Sequence, residues 1–366
     1  MRKVFLYICL GIVVASCAVE QTIPSKVNVK EVSKLSNASV NSLVYALPST
    51  KIRVEVSVEK TISKVGPFYR YSQKMLNVTD VVTKDDEKWA IKDINLSTFG
   101  VADLDKQYAI SYSGESVAPL LNVNNEGVLV GVNLSDLPKE SCTLKSYNVQ
   151  EVPSVSDINF NAVPMMEKQL AKTSTAAMAE EAANFIYKIR KRRFKILASD
   201  YENLPPDGKS YEVTVRELDA LEEAYLELFI GKVEKVELNY TYDIHPNALS
   251  ANNDVLFRFS TVQGVVDKMD MSGAPVYIEI DAEEKELLPD APLPITKEEV
   301  RTGLYYCRPG KATVKIIDRN KLLRSQEVYL GQYGQVVNMP SSVLEEKNIS
   351  IQLDSKTGAL KSIERK

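Results

Sequence analysis

Across residues 51–59 the chain alternates at every step, with Ile52, Val54, Val56 and Val58 on one side and Arg53, Glu55, Ser57 and Glu59 on the other. A period of two with one apolar and one polar face specifies a half-buried strand of an antiparallel sheet. It excludes a helix, whose apolar positions recur every three or four residues. The same alternation returns at Val236, Leu238, Tyr240 and Tyr242, at Val276, Ile278 and Ile280, and at Ala312, Val314 and Ile316. Further strands are expected over residues 89–96, 107–113 and 120–132, the last folded into a hairpin by Asn124-Asn125-Glu126-Gly127. Asp318-Arg319-Asn320-Lys321 and Ser355-Lys356-Thr357-Gly358 read as hairpin turns.

The period changes in the middle of the chain. Residues 167–198 contain neither Gly nor Pro, and Met178, Ala182, Phe185, Ile189 and Ile196 form a stripe at helical spacing. Glu180 and Glu181 come early in this segment, and Lys188, Arg190, Lys191, Arg192, Arg193 and Lys195 come late, which suits the helix macrodipole. Leu204-Pro205-Pro206-Asp207-Gly208 breaks the helix; Leu218, Leu221, Tyr225 and Leu228 then mark a second one, stopped by Gly231. The chain is therefore expected to be α+β. A β-rich unit over residues 41–160 and an antiparallel β unit over 233–366 flank an antiparallel helical hairpin over 165–232. The length of 366 residues allows two or three domains, and no internal repeat points to a solenoid or propeller.

The amino terminus speaks to location. Arg2 and Lys3 precede an apolar run from Val4 to Ala15, the pattern of a secretory signal and too short for a membrane-spanning helix, which needs roughly 20 residues. Val14-Ala15-Ser16-Cys17 then places two small residues directly before a cysteine. That order resembles the lipobox of bacterial lipoproteins, in which the cysteine takes a diacylglycerol thioether and becomes the first mature residue. Several acyl chains give stable anchoring where one is marginal. Residues 1–17 are read as a lipoprotein signal peptide with Cys17 lipidated. Residues 18–40, polar and without period, are read as a tether. The location expected is the outer membrane, facing the periplasm, with the membrane contacted through the anchor.

The rest of the chain gives no catalytic signature. Its one histidine, His245, would have to serve every triad, dyad or histidine metal site, and it sits before Pro246 at the end of an expected strand. It is read as a strand-end residue without catalytic duty. Cys142 and Cys307 lie far from each other and have no ligand-like spacing, so they form either one disulfide in an oxidising compartment or two buried thiols. GxSxG, HExxH and phosphate-binding glycine loops are missing from the sequence. No catalytic residue, metal ligand or cofactor is assigned. Loss of residues 1–17 removes two of the 45 basic side chains and leaves 43 against 49 acidic ones, which argues against a nucleic-acid partner.

Three stretches stand out as surfaces. The run from Lys188 to Lys195 either meets anionic lipid or an acidic partner, or pairs with the acidic second helix through Glu217, Asp219, Glu222, Glu223 and Glu227. The latter reading is preferred, because the partner charges are close at hand. Phe68, Tyr69, Arg70 and Tyr71 after Gly66, and Tyr305 and Tyr306 after Gly303, are aromatic clusters that either stack on a ligand or belong to a core.

Taken together, "GPFYRYSQ", "MAEEAANFIYKIRKRRFKIL", "LPPDG", "ELDALEEAYLELFIG" and "GLYYCRPG" resemble, in order and spacing, a family of Bacteroidetes proteins called Domain of Unknown Function 4831. The resemblance runs over roughly residues 41–340. It implies export and lipid anchoring, and brings no activity, cofactor or catalytic residue. The family's usual "GLYYR" has Cys307 in the arginine position here, with Arg308 next. The function expected is binding or scaffolding at the cell envelope, with an envelope protein or a glycan as partner. Two alternatives are a carboxylate-dependent hydrolase of envelope glycan, which needs two facing acids about 5–9 Å apart, and a polysaccharide-binding lipoprotein using Phe68, Tyr69 and Tyr71.

Overall fold

The computed structural model describes residues 26–34, 42–113, 120–135, 152–161, 163–164, 172–198, 208–246, 254–287, 303–346 and 348–365. The apolar leader, Cys17 and Cys142 lie outside these residues. The protein is α+β, built from three antiparallel sheets and a helical hairpin.

Sheet I has the order β1-β3-β2-β6, from Lys26–Glu31 (β1), Ser42–Lys64 (β2), Asp86–Ser113 (β3) and Lys232–Ile244 (β6). Sheet II has the order β11-β10-β9-β7-β8, from Asp254–Ser260 (β7), Gly264–Val266 (β8), Ala274–Leu287 (β9), Tyr305–Asp318 (β10) and Lys321–Asn338 (β11). Sheet III has the order β13-β12-β5-β4, from Leu121–Val123 (β4), Leu129–Val132 (β5), Ile349–Leu353 (β12) and Leu360–Arg365 (β13). Helix α1 is Ser72–Leu76, the hairpin is Thr175–Leu197 (α2) and Gly208–Ile230 (α3), and α4 is Ser341–Glu345. The two β segments flanking the hairpin are interwoven. Sheet I takes β6 from beyond the hairpin, and sheet III pairs β5 with β12.

The alternation over residues 51–59 does what its period demands. Ile52, Val54, Val56 and Val58 are fully buried and pack on Val276, Ile278, Ile280, Ala312, Val314 and Ile316 of sheet II. Each such side chain contributes roughly 1.5–3 kcal/mol of burial. The outer face stays polar: Arg53 makes a bidentate pair with Asp243 at 2.8 and 2.9 Å, and Ser57 bonds Asn239 at 2.6 Å.

Strands β2 and β3 are long enough to serve a second core. At their other end Val27, Val29, Tyr45, Leu47, Tyr108 and Ile110 pack on Leu129, Val132, Ile349, Ile351 and Leu353 of sheet III. The parity of buried residues in β2 switches from odd (Tyr45, Leu47) to even (Ile52 onward) across the register shift at Ala46/Pro48. A bulge there turns the strand's apolar side from one core to the other, and proline is tolerated because a bulge removes the need for its missing N–H.

Two expectations change. Residues 26–31, read as part of a tether, form β1: Val27 and Val29 alternate with polar neighbours and are 2% and 3% exposed. Residues 89–96 and 107–113 belong to one continuous strand. The link between them includes Gly100, where a Cβ would lie 2.1 Å from the Ser355 carbonyl of the β12–β13 turn. Only a residue without a side chain lets the two backbones pass.

The hairpin occupies the end of β2 remote from sheet III. Lys64, the last residue of β2, pairs with Lys232 just after α3, while Ser42 pairs with Ser111 at the sheet III end. The 23 residues between span at most roughly 75 Å.

Candidate functional site

Helix α2 starts where Ser174, in extended conformation, accepts a hydrogen bond from the Ala177 N–H at 3.2 Å, an N-cap. Helix α3 ends at Gly231, whose φ of +86° closes the last turn with a 2.8 Å bond to the Glu227 carbonyl. Gly66 lies so close to this end that a Cβ would meet the Leu228 carbonyl at 2.5 Å, and the Phe68 N–H donates to the same carbonyl. These contacts fix the hairpin to the β body.

The base of the hairpin is apolar. Ala179, Ala182, Ala183 and Ile186 of α2 pack on Tyr225, Leu228 and Phe229 of α3, with Phe68 and Leu76 completing the cluster. The Phe68 and Phe229 rings lie 5.5 Å apart, and those of Phe185 and Tyr225 4.6 Å. The Tyr225 hydroxyl donates to the Pro164 carbonyl.

Further along, the two helices are joined by charge. Glu222 is buried; its Oε1 accepts from Arg190 Nε at 2.6 Å, and its Oε2 lies 2.8 Å from Arg193 Nη1, an ion pair not aligned as a hydrogen bond. Arg193 also bonds Asp219 at 2.5 Å, which holds its guanidinium pKa above the usual value. Pairing of the basic run with the second helix is therefore realised for two of its six cations. Lys188, Lys191 and Arg192 face solvent, and Lys195 is half-buried. Beside them Tyr187, Phe194 and Leu197 are 48%, 70% and 56% exposed.

The aromatic clusters divide. Phe68 is 3% and Tyr306 1% exposed; both are core residues, and a ring so placed cannot stack on a ligand from solvent. Tyr69 and Tyr71 are half-buried and Tyr71 packs on the hairpin base, while exposed Arg70 bonds the Tyr69 hydroxyl at 3.0 Å. Tyr305, half-buried, stacks on Tyr108 at 4.4 Å, and Tyr108 in turn on Tyr45 at 5.7 Å. Burial pushes the phenols of Tyr108 and Tyr112 up to about 12.

His245 follows β6 and its Nε2 lies 2.6 Å from Ser49 Oγ. Ser49 is only 3% exposed, and no carboxylate bonds the ring among the described residues. The pair belongs to a polar knot where the three sheets meet. Thr50 Oγ1 donates to the Lys356 carbonyl at 2.8 Å and accepts from the Gly331 N–H at 3.0 Å. Gln332 accepts from the Thr50 N–H and donates to the carbonyls of Thr50 and Pro246. Cys307 is a free, buried thiol donating to the Gly331 carbonyl at 3.1 Å, and burial pushes its pKa up to about 11. Such a thiol is protonated and unreactive at neutral pH.

Several carboxylates are held by cations rather than facing one another: Glu87 by Lys60 at 2.8 Å, Asp281 by Lys315 at 2.5 Å and Asp354 by Lys361 at 3.0 Å. Among the described residues no group of three His, Cys, Asp or Glu side chains is placed to hold a metal, and no helix is long and apolar enough to cross a membrane.

These features define an α+β protein of interlocked antiparallel sheets carrying a projecting helical hairpin. The chain belongs to the family described as Domain of unknown function (DUF4831), whose sequence profile matches residues 41–361. No curated protein and no solved structure matches it.

Proposed function

We propose that this protein is a non-enzymatic contact module of the cell envelope, lipid-anchored at Cys17, periplasm-facing, and working through its helical hairpin. The observation that carries the reading is the hairpin itself: α2 and α3 are fixed at their base by an apolar cluster and further out by Glu222, and α2 turns to solvent large apolar side chains and cations with no ion-pair partner among the described residues. A β body stitched through shared strands is a rigid mount for such a surface. The buried, protonated Cys307 and the buried Ser49 suit structural rather than nucleophilic roles.

The test has two parts on the native protein. Intact mass spectrometry should find a mature chain beginning at an acylated Cys17. A photoreactive residue in place of Arg192 should give adducts with an envelope component that the same residue at Val262, which is 69% exposed on the β body, does not give. An unmodified Cys17 would remove the anchor, and identical adducts from the two positions would remove the hairpin as the contact surface.

A further inference from the structure

Over its last three turns α2 turns two adjacent stripes largely to solvent, with the Tyr187 hydroxyl donating to the Met75 carbonyl at 2.8 Å and Lys195 half-buried. Steps of three and four place Tyr187, Lys191 and Phe194 on one stripe and Lys188, Arg192 and Lys195 on the next, with Leu197 one turn beyond Phe194. Arg190 and Arg193 are engaged with α3, whereas Lys188, Lys191, Arg192 and Lys195 have no ion-pair partner among the described residues. Single exposed apolar side chains are common. Here two of them, Phe194 and Leu197, stand at the distal end of α2 among four uncommitted cations.

That combination selects its occupant. A soluble polyanion would neutralise the lysines and leave Phe194 and Leu197 in water. A protein partner would need an acidic pocket shaped to receive a projecting ring. A bilayer needs neither, because its headgroup layer deforms around the tip: Phe and Leu enter the boundary with the acyl chains while Lys and Arg keep their heads at the phosphates. We propose that the solvent face of α2 docks on a phospholipid bilayer carrying anionic headgroups, through Lys188, Lys191, Arg192, Lys195, Phe194 and Leu197. This rests on the reading of the hairpin as the contact surface.

The described elements begin at Lys26, so a chain starting at Ala18 retains them and carries neither the apolar leader nor an acyl chain. This chain is sedimented with vesicles of phosphatidylcholine alone or mixed with phosphatidylglycerol. Binding is expected only to the anionic vesicles and is expected to be reversed at about 0.5 M salt, where the screening length falls well below 10 Å. The variant K191Q/R192Q/K195Q should bind about 100-fold more weakly, at roughly fivefold per cation. Phe194→Ser should weaken binding about tenfold. These residues are solvent-facing or have no ion-pair partner among the described residues, so unchanged thermal unfolding would verify each variant's fold. Equal binding to neutral vesicles, absence of binding to anionic ones, or full binding by the triple variant would each overturn the proposal. Hairpin adducts with a protein in cells, together with no vesicle binding, would overturn the bilayer as occupant while leaving the hairpin as the contact surface.

Discussion

Thr50 has a completely buried side chain, and its hydroxyl is bonded on both sides, to residues 281 and 306 positions away. Replacing it with valine keeps the shape and strands the Gly331 N–H and the Lys356 carbonyl in a site closed to water. Thr50→Val is expected to lower unfolding stability by about 1–3 kcal/mol, and Thr50→Ser to restore most of the loss. Urea denaturation of the three proteins measures this; equal midpoints for valine and threonine would show that the knot contributes nothing. The sequence gives no hint of this role. Thr50 sits in a strand whose alternation is plain, but its partners come from β11 and the β12–β13 turn, and a hydroxyl's use depends on what the fold brings to it. His245 was legible as a strand-end residue, and its contact with Ser49 was not, for the same reason.

Hairpin and strands were readable to different depths. The two helices announce themselves because an uninterrupted 3.6-residue stripe has no other use, and Gly231 marks the stop with the left-handed conformation expected of it. Which cations α3 would take was hidden: Arg190 and Arg193 lie on the α3 side of α2, while their neighbours in the run point away. Glu222 holds both arginines from a buried position. Glu222→Ala should leave the helical base intact and loosen the outer half, so that amides of residues 187–197 exchange at least about tenfold faster while those of β2 do not change. Hydrogen exchange read by mass spectrometry decides it; uniform protection along α2 would mean that Ile189 and Ile196 suffice to hold the helices together. Strand β1 escaped the sequence reading because Val27 and Val29 are only two alternations in a polar stretch, too few to separate from chance without their partner β3.

Charge acts on the molecule as a whole through carboxylates tied to the sheets. The Lys60 ammonium, and then the Val155 N–H, hold Glu87 below the usual glutamate range. Arg53 does the same for Asp243 on the outer face. A carboxyl whose folded pKa is depressed adds stability that is present in full above its unfolded value near 4 and is lost as pH falls through the folded value. Urea midpoints are therefore expected to hold from neutrality to about pH 5 and to drop steeply below about pH 4. Glu87→Gln should start from a lower midpoint at pH 7 and drop less on the acid side; an unchanged acid slope in that variant would show that Glu87 has no part in it. Lys60 is itself buried and is bonded at 2.7 Å to the Pro153 carbonyl, with its ammonium 5.4 Å from the centre of the Trp89 ring, so this pair also ties Pro153 and Val155 to sheet I.

The placement of β1 and the hairpin at opposite ends of β2 sets a rule of posture. A chain held by its amino end, as proposed above, would have two extreme stances. Standing upright, it would lift α2 up to roughly 75 Å away from the surface that holds it, within reach only of whatever lies across the gap. Reclining, it would bring the aromatic tip back to the same surface and turn a flank of the sheets outward. With the anchor proposed at Cys17, the length of one strand would couple the point of attachment to what the far end can touch.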